Sequence, residues 1–483
     1  MSFIIGIDLG TSNCAVAFTD PKDGAEAKIV DFPVPQLVRP GEQSARPLFP
    51  SVVYQPFDGE FPAGSTAMPW NDGARVTGEF ARWQAGRVPQ RAITSAKSWL
   101  IHQGVDRQAP ILPWGAPAEV PRLSPVGAQA ELLKHLAQSW NAAHPEAPLA
   151  QQDVVLTIPA SFDEAARALT IQAAREAGFD LQRLTLLEEP QAAFYDFTSR
   201  HRDSLDKALQ GTRLVLVVDV GGGTTDFSLV QVAMLPEGPA LQRLAVGDHL
   251  LLGGDNMDAA LARRLESKLF TDGRTFSAAQ WAQAIQQARG AKEAVLSKGG
   301  PDVHAVSIVA GGSKLIGGTL SSQLTREEIT QTVVDGFFPK VAADAVVASA
   351  ARGGVVELGL PFAKDPAITR HLVAFLRAHA EAGFKALGQA ADGLPRPDAI
   401  LLNGGVFNSP TLATALVDAV SALFPNAPRV PLLKHDSLDL AVARGAAYSG
   451  LARRALGKKI GGGAPRAFYA LVAGGAGGKQ GLC

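Results

Sequence analysis

Cysteine is almost missing from this sequence: the 483 residues contain only Cys14 and Cys483. Two cysteines cannot build a disulfide framework, so a reducing, cytoplasmic environment is the expected one. The nine histidines show no spacing typical of zinc ligands, and the sequence contains no Cys-x-x-Cys motif. Any bound metal is therefore expected to be a hard ion with oxygen ligands.

Long apolar runs and an excess of one charge are missing as well. No stretch of about 20 uninterrupted apolar residues occurs, and Gly6 and Asp8 interrupt the N-terminal apolar run, so we expect no membrane span and no signal peptide. The 45 Lys and Arg residues balance 46 Asp and Glu residues, which gives no reason to expect nucleic acid as a partner. The composition, 46% hydrophobic and 19% charged, is typical of a folded chain.

Strand-like and helix-like segments alternate along the chain, and this alternation predicts an α/β fold. Short strands and loops are expected over residues 20–90. Serine or threonine followed three residues later by glutamate predicts helix starts at Ser161–Glu164 and Thr325–Glu328. Apolar runs predict strands over 3–7, 14–18, 154–158, 214–218, 227–230, 399–403 and 467–472, and helices over 129–140, 165–177, 261–269 and 441–451.

Two loops carry the same arrangement of an apolar strand, an Asp-x-Gly turn, a threonine and a second strand. The first contains Asp8, Gly10 and Thr11, and the second runs from Asp219 to Asp226 with three consecutive glycines. Glycine lets a backbone approach a ligand closely, and successive turn N–H groups can bind phosphate. Each loop alone is also compatible with an exposed turn or a strand bulge. The sequence separation between the two loops is about the length of one domain. The favoured interpretation is therefore that the chain forms two similar lobes and that one polyphosphate binds between their loops.

Several segments, taken together, resemble the nucleotide-binding domain of the Hsp70 (DnaK-like) chaperones, specifically a divergent bacterial member. The resemblance runs in family order from residue 3 to about residue 451. It rests on segments 3–13, 156–178, 189–193, 218–226, 252–258, 402–405 and 439–447, together with 96–100 around Lys97. It implies an actin-like ATPase fold, with two related lobes around a central nucleotide cleft. The implied lobes are residues 1–205 and 206–425, followed by a closing segment of the first lobe at 426–456 and a glycine-rich tail at 457–483.

The same resemblance implies ATP or ADP, Mg²⁺ and K⁺ as cofactors. Mg²⁺ and its waters would lie among Asp8, Asp219 and Asp226. Catalysis would depend on Lys97, Glu189, Asp219 and Thr224, with Lys97 at the γ-phosphate and attacking water. Nucleotide would contact Asp8, Gly10, Thr11, Ser12, Asn13, Gly221, Gly222, Gly223, Thr224, Gly253, Gly254, Lys292, Gly404, Gly405, Asn408 and Asp439.

The sequence departs from the family pattern at the adenosine pocket and after the last helix. Asn408 replaces an arginine that packs on adenine. Beside the retained Lys292, Arg289 and Glu293 replace a glutamate and an arginine, and their spacing predicts an exposed i, i+4 pair. No interdomain linker, peptide-binding domain or lid follows the last helix. We therefore expect a truncated chain, whose unfolded clients and co-chaperones would need a missing C-terminal region.

The expected function is a monomeric, cytoplasmic ATPase module that hydrolyses ATP slowly and drives a chaperone cycle. Three alternatives remain open. A regulator would bind nucleotide without hydrolysing it, a small-molecule kinase of the actin-like superfamily would transfer phosphate to an added substrate, and an actin-like structural protein would sediment in a nucleotide-dependent way. The sequence shows no acid-base constellation for a kinase substrate.

Overall fold

A computed structural model describes residues 2–236, 238–248, 250–309, 318–348, 360, 362–434, 436–460, 471–472 and 481–482. Most of the tail predicted at 457–483 lies outside these ranges, and so does the strand predicted over 467–472 except for its last two residues. No helix within the described ranges is long and apolar enough to cross a membrane.

The first 210 residues contain short strands, three longer and mostly buried strands, and the helices that cover them. In chain order they form β1 (Ile4–Leu9), β2 (Asn13–Thr19), a 3₁₀ helix (Pro21–Glu26), β3 (Val30–Asp31), β4 (Val34–Arg39), β5 (Glu42–Arg46), β6 (Phe49–Pro50), β7 (Val53–Tyr54), β8 (Val76–Thr77), α1 (Glu79–Ala85), a 3₁₀ helix (Pro89–Arg91), β9 (Ala92–Ile93), α2 (Ala96–Trp99), α3 (Pro125–Ala143), a 3₁₀ helix (Leu149–Gln151), β10 (Asp153–Ile158), α4 (Glu164–Glu176), β11 (Leu184–Glu188), α5 (Glu189–Arg200) and α6 (Leu205–Ala208).

The remaining residues form a second set of strands and helices. They are β12 (Leu214–Val220), β13 (Thr225–Leu235), β14 (Gly238–Val246), α7 (Gly254–Leu269), α8 (Ala278–Val295), β15 (Val303–Val309), β16 (Thr319–Thr325), α9 (Arg326–Ile329), a π-helical turn (Thr330–Val334), α10 (Asp335–Phe337), α11 (Ile368–Ala378), α12 (Ala380–Leu387), β17 (Ala399–Asn403), a 3₁₀ helix (Gly405–Asn408), α13 (Pro410–Ala422), β18 (Leu432–Leu433), α14 (Ala441–Arg453), β19 (Leu471–Val472) and β20 (Gly481–Leu482).

Two larger sheets share one local topology. The first has the order β11-β10-β1-β2-β3, with β6 beside β2, and the second has the order β14-β13-β12-β17-β18. In the first, β1 is antiparallel to β2 and parallel to β10; in the second, β12 is antiparallel to β13 and parallel to β17. Both Asp-x-Gly loops therefore connect an antiparallel strand pair that lies beside a parallel strand. The structure is mixed α/β, as the alternation of segments predicted.

Helix α14 packs at very short range on β1 and on α5. A Cβ atom added at Gly445 would lie 1.7 Å from the Ala192 carbonyl oxygen, and one added at Gly6 would lie 2.2 Å from the Ala443 carbonyl oxygen. Real Cβ atoms do not approach backbone oxygens so closely, which explains the small residues along this helix. The packing holds α14 against the sheet that carries the first loop.

One of the two predicted capping boxes is confirmed and the other is wrong. Thr325 and Glu328 exchange the expected hydrogen bonds, with the Thr325 N–H donating to Glu328 Oε2 at 2.9 Å and the Glu328 N–H donating to Thr325 Oγ1 at 3.2 Å. At α4, however, Asp163 is the N-cap, and its Oδ1 accepts from the Ala166 N–H at 2.8 Å. The helix starts later than the Ser161 pattern predicted because the Asp163 carboxylate satisfies the free backbone N–H.

Candidate functional site

A cavity of about 1480 Å³ lies between the loops of the two larger sheets. This volume exceeds the roughly 300–1,000 Å³ that is usual for small-molecule sites. Most of the residues predicted to bind nucleotide line it: Asp8, Gly10, Thr11, Ser12, Asn13, Lys97, Glu189, Asp219, Gly221, Gly222, Thr224, Gly254, Lys292, Gly404, Gly405, Asn408 and Asp439. Gly223, Gly253 and Asp226 are outside this lining.

The two glycine-containing loops lie in direct contact. A Cβ atom added at Gly222 would lie 2.0 Å from Ser12 Oγ, and one added at Gly223 would lie 2.5 Å from Ser98 Oγ and 3.0 Å from Thr11 Cγ2. Glycine at both positions lets the backbones of loops more than 200 residues apart in sequence approach each other. The consecutive glycines are thus explained by packing, and Gly221 and Gly222 also line the cavity.

The start of α7 fixes the shape of the second loop. The Gly254 N–H donates to the Gly221 carbonyl oxygen at 3.0 Å, and the Asp255 N–H donates to the Gly222 carbonyl oxygen at 2.7 Å. A Cβ atom added at Gly253 would lie 2.6 Å from both of these oxygens. Gly253 therefore packs against the second loop on the side away from the cavity, whereas Gly254 lines the cavity.

Three aspartates meet where the two loops approach each other. Asp219 and Asp226 are direct partners in the antiparallel ladder of β12 and β13, and Asp8 occupies the corresponding part of β1. Burial is the main cause that raises the pKa of Asp8, and Glu189 raises it further. The same two causes raise the pKa of Asp219 well above its ordinary value and the pKa of Asp226 to about 7. A cation would relieve this crowding of buried negative charge.

These carboxylates suit a cation that keeps its water ligands. Within the described part of the chain, no three His, Cys, Asp or Glu side chains form a cluster that could hold a metal ion directly. Asp226 Oδ1 is nevertheless buried and accepts no hydrogen bond. An unused buried carboxylate oxygen fits a water-mediated contact to Mg²⁺, an ion that usually retains several waters.

Lys97 is a buried cation that lines the cavity beside the three aspartates. It lies on the short helix α2, is only 4% exposed, and forms an ion pair with Glu189, the first residue of α5. Burial opposes its charged form, but Glu189 and Asp8 outweigh that effect, and the pKa of Lys97 is raised. Lys97 is therefore a charged, oriented ammonium group, and not an exposed surface lysine.

The prediction that Arg289 and Glu293 form an exposed pair is wrong. Arg289 Nε donates to Asp258 Oδ2 at 2.8 Å, and Arg289 Nη2 donates to Asp255 Oδ1 at 2.5 Å. Lys292 Nζ lies 2.6 Å from Asp258 Oδ1 and donates to the Gly254 carbonyl oxygen at 3.1 Å. Because α8 packs along α7, its basic side chains meet the acidic first turns of α7 instead of solvent.

At another part of the cavity lining, Asn408 is exposed and donates through Nδ2 to Asp439 Oδ1 at 2.8 Å. Burial raises the pKa of Asp439, and this hydrogen bond partly counteracts the effect. Asn408 and Asp439, both predicted to contact nucleotide, are therefore brought together across 31 positions of sequence, next to Gly405.

Three polar contacts at the site were not anticipated from the sequence. Asn403 Nδ2 donates to Asp219 Oδ2 at 2.6 Å, Ser51 Oγ donates to the Gly10 carbonyl oxygen at 2.7 Å, and an Arg82 guanidinium N–H donates to Asn13 Oδ1. For Asn403 a signal existed, since it ends a buried strand just before two glycines. Ser51 and Arg82 lie in the region of short strands, where the sequence offers no comparable signal.

Comparison with known proteins gives consistent matches. The family model described as Hsp70 protein matches residues 72–345. The chain is 34% identical over 303 residues to a chaperone protein HscA homolog of Acidithiobacillus ferrooxidans, which covers 60% of this chain and 41% of that protein. It is 32% identical over 277 residues to HscA of Pectobacterium carotovorum, with 55% and 38% covered. DnaK of Stenotrophomonas maltophilia is 29% identical over 265 residues, with 53% and 37% covered. The matched stretch thus spans about two fifths of each relative.

Proposed function

The chain belongs to the Hsp70 family, and from this premise we propose that its cavity binds Mg·ATP and hydrolyses it slowly. The relatives are chaperones by name, and the proposed role is to convert nucleotide binding and hydrolysis into a conformational change that serves protein folding. The observation that carries the proposal is the buried Lys97–Glu189 ion pair, because it lies in a cavity lined by both glycine-containing loops.

The chemistry of the site follows from charge and position. Backbone N–H groups and the hydroxyls of Thr11, Ser12 and Thr224 would bind phosphate oxygens, as expected for concave turns that present several donors. Lys97 would stabilise negative charge that develops at the terminal phosphate, and Glu189 would fix the lysine and accept from the attacking water. Positioning and electrostatic stabilisation supply most of the catalysis in phosphoryl transfer.

Mg²⁺, when bound, would neutralise phosphate charge. Asp8, Asp219 and Asp226 would hold it through water, with K⁺ as a further cation near the phosphates. Support comes from the raised pKa values of these aspartates and from the unused Asp226 Oδ1. Two cations in this position would neutralise the negative charge of the aspartates, which Lys97 alone does not balance.

The proposed architecture is an actin-like pair of lobes, divided at the residue boundaries given above, that close on nucleotide. Support comes from the repeated strand topology and from the contact of Ser12 with Gly222, which joins the loops of the two sheets. A ligand that contacts both loops favours a closed arrangement over an open one. Monomeric state, cytoplasmic location, and clients or co-chaperones recruited through a further C-terminal region are parts of the same proposal.

A nucleotide-binding regulator without hydrolysis is the second candidate. The observation that favours it is on the adenosine side, where Asn408 is engaged with Asp439 and Arg289 with two aspartates. When nucleotide binds, these side chains must either leave their acidic partners or make few contacts to the base. In the second case the base is bound weakly. Phosphate binding does not depend on them.

The deciding experiment is single-turnover hydrolysis of Mg·ATP by the purified chain beside Lys97→Ala, with nucleotide affinity measured for both. Lys97→Met is the second variant, because it keeps the length and apolar stem of the side chain and removes the charge. The expected result is slow hydrolysis by the unmodified chain and a loss of about 100-fold or more in both variants, with ATP still bound.

The other outcomes separate the alternatives. Tight binding without hydrolysis in all three proteins would support the regulator. Transfer of phosphate to an added small molecule would support a kinase, and nucleotide-dependent sedimentation would support a filament. Absence of nucleotide binding would overturn the proposal.

A further inference from the structure

One hydrogen bond joins the segment that carries Lys97 to the start of α7. Ser95 Oγ donates to Asp255 Oδ2 at 2.8 Å, across 160 positions of sequence. Ser95 is the N-cap of α2 and lies two residues before Lys97, whereas Asp255 is the second residue of α7. The bond therefore connects a turn of the first 210 residues to a helix that packs on the second sheet.

Asp255 contacts three different parts of the site at once. Its Oδ2 accepts from Ser95, its Oδ1 accepts from Arg289 Nη2 at 2.5 Å, and its backbone N–H donates to the Gly222 carbonyl oxygen at 2.7 Å. It also lines the cavity. Asp255 thus connects the second glycine loop, through Gly222, to Ser95.

Ser95 holds a backbone conformation that serine rarely adopts. Its φ and ψ are 52° and 30°, in the left-handed region, and α2 begins directly after it. Such a conformation costs a non-glycine residue on the order of 1 kcal/mol and persists where surrounding contacts impose it. The bond to Asp255 is such a contact, and it fixes the turn from which Lys97 reaches Glu189.

We propose that Ser95 and Asp255 are positioning residues that couple the second glycine loop to the Lys97 ammonium group. When the loop is occupied, Gly222 holds Asp255, Asp255 holds Ser95, and the α2 turn keeps Lys97 aligned with Glu189. When the loop moves, the same contacts release the turn. This inference rests on the proposed ATPase function, since it assigns a role to the position of Lys97.

The first test is a double-mutant cycle in single-turnover Mg·ATP hydrolysis. Ser95→Ala and Asp255→Ala are each expected to slow hydrolysis about 10-fold, with ATP affinity within about 3-fold of the unmodified chain, because Lys97 is misplaced and the phosphate loops remain. The double variant should be no slower than the slower single variant, since both remove one contact. Independent, multiplicative losses would overturn the coupling.

Ser98→Ala is the matched control. Ser98 lies in the same α2 turn, and its hydroxyl is buried without a hydrogen-bond partner. This variant removes an equal group without breaking the bridge to Asp255, so hydrolysis should stay within about 2-fold of the unmodified chain. A loss equal to that of Ser95→Ala would overturn the proposal, because it would show that the turn tolerates no truncation of any kind.

A second readout does not depend on hydrolysis. Acylation of individual lysines by acetic anhydride, followed by mass spectrometry, reports how accessible Lys97 is, with the exposed Lys28 as internal standard. Lys97 should react at least about 5-fold faster in Ser95→Ala and Asp255→Ala than in the unmodified chain or in Ser98→Ala, because a released lysine is more exposed and more easily deprotonated. Unchanged Lys97 reactivity would overturn the positioning role. If the unmodified chain hydrolyses nothing, the proposed function fails, and this readout still decides whether the contact positions Lys97.

Discussion

Asn403 and Asp219 stand side by side at the ends of parallel strands, and the Asn403 amide donates to Asp219 Oδ2 at 2.6 Å. This bond partly offsets the effects of burial and neighbouring acids that raise the pKa of Asp219. It therefore keeps a carboxylate of the proposed cation site closer to its ionised form.

Asn403→Ala should weaken binding of Mg·ADP at pH 7 by roughly tenfold, because a hydrogen bond to a charged group contributes about 1.5–3 kcal/mol. The affinity should recover as the pH rises, since a higher pH ionises Asp219 without help. Titration calorimetry between pH 6 and pH 9 measures this. A deficit that stays constant across that range would contradict the argument.

Asp226→Asn should stabilise the nucleotide-free protein at pH 8 and not at pH 4. In the folded chain the pKa of Asp226 is raised to about 7 by burial and by Glu189, against an ordinary value of 3.8. The folded state thus holds a proton that the unfolded state releases, and the stability from this group is lost as the pH rises from about 4 to 7. The expected gain at pH 8 is roughly 2 kcal/mol or more. The free energy of unfolding is measured by urea denaturation in EDTA at both pH values. An equal change caused by Asp226→Asn at pH 4 and at pH 8 would contradict the prediction.

His135 should make the protein sensitive to acid. Its Nε2 lies 2.8 Å from the Pro35 carbonyl oxygen, its Nδ1 lies 3.0 Å from Thr77 Oγ1, and burial lowers its pKa from 6.5 to about 4. The unfolded chain therefore binds a proton first, and stability falls as the pH drops from about 6.5 to 4, by up to about 3 kcal/mol. His135→Gln, which cannot be protonated, should cost stability at pH 8 but show a smaller loss on acidification. The measurement is the free energy of unfolding as a function of pH for both proteins. Equal slopes between pH 6.5 and pH 4 would contradict the prediction.

Gly223→Ala should disturb the contact between the loops, because the new Cβ atom would lie 2.5 Å from Ser98 Oγ. Nucleotide affinity is expected to fall by about 10-fold or more as the loop is displaced. Ser98→Ala in the same chain removes the nearest clashing atom and should restore part of the affinity. Fluorescence titration with a labelled ADP compares the three variants. Failure of the second substitution to help would point to Thr11 as the dominant obstacle.

Gly445→Ala should destabilise the fold by about 3 kcal/mol or more, because its Cβ atom would lie 1.7 Å from the Ala192 carbonyl oxygen and force α14 away from α5. Gly290→Ala on α8 is the matched control, since no atom beyond its chain neighbours and its own helix backbone lies within 4 Å of its added Cβ atom. That variant should gain about 0.5–1 kcal/mol from helix propensity. Thermal unfolding of both variants tests the contrast, and similar losses in the two would contradict it.

The sequence was informative wherever a short segment carried its own signal. Buried apolar runs located β1, β12 and β17 to within about two residues, and the Thr325–Glu328 pattern located the start of α9. Such features depend on neighbours a few positions apart, so a local pattern specifies them. Helix α1 within residues 20–90 was missed, because seven residues give too short a period to recognise.

Errors occurred where a local pattern competed with a distant partner. Arg289 and Glu293 have the spacing of a surface pair, yet two aspartates of α7 attract Arg289 more strongly. Ser161 has the position of a helix cap, yet Asp163 caps α4 and Ser161 hydrogen-bonds Asp226 instead. In both cases helix packing or strand pairing supplied a better partner than the neighbouring residues did.

By itself, the sequence identified the groups on which the proposed chemistry depends: two Asp-x-Gly loops, a lysine and a glutamate in family order, and the alternation of strands and helices around them. Tertiary structure alone decided which of these groups meet. Asn403 reaches Asp219 across 184 positions and Ser95 reaches Asp255 across 160, and no local pattern encodes either contact. The physical reason is that parallel pairing of strands and packing of helices bring distant residues together, whereas a sequence pattern reports only the preferences of residues that are close along the chain.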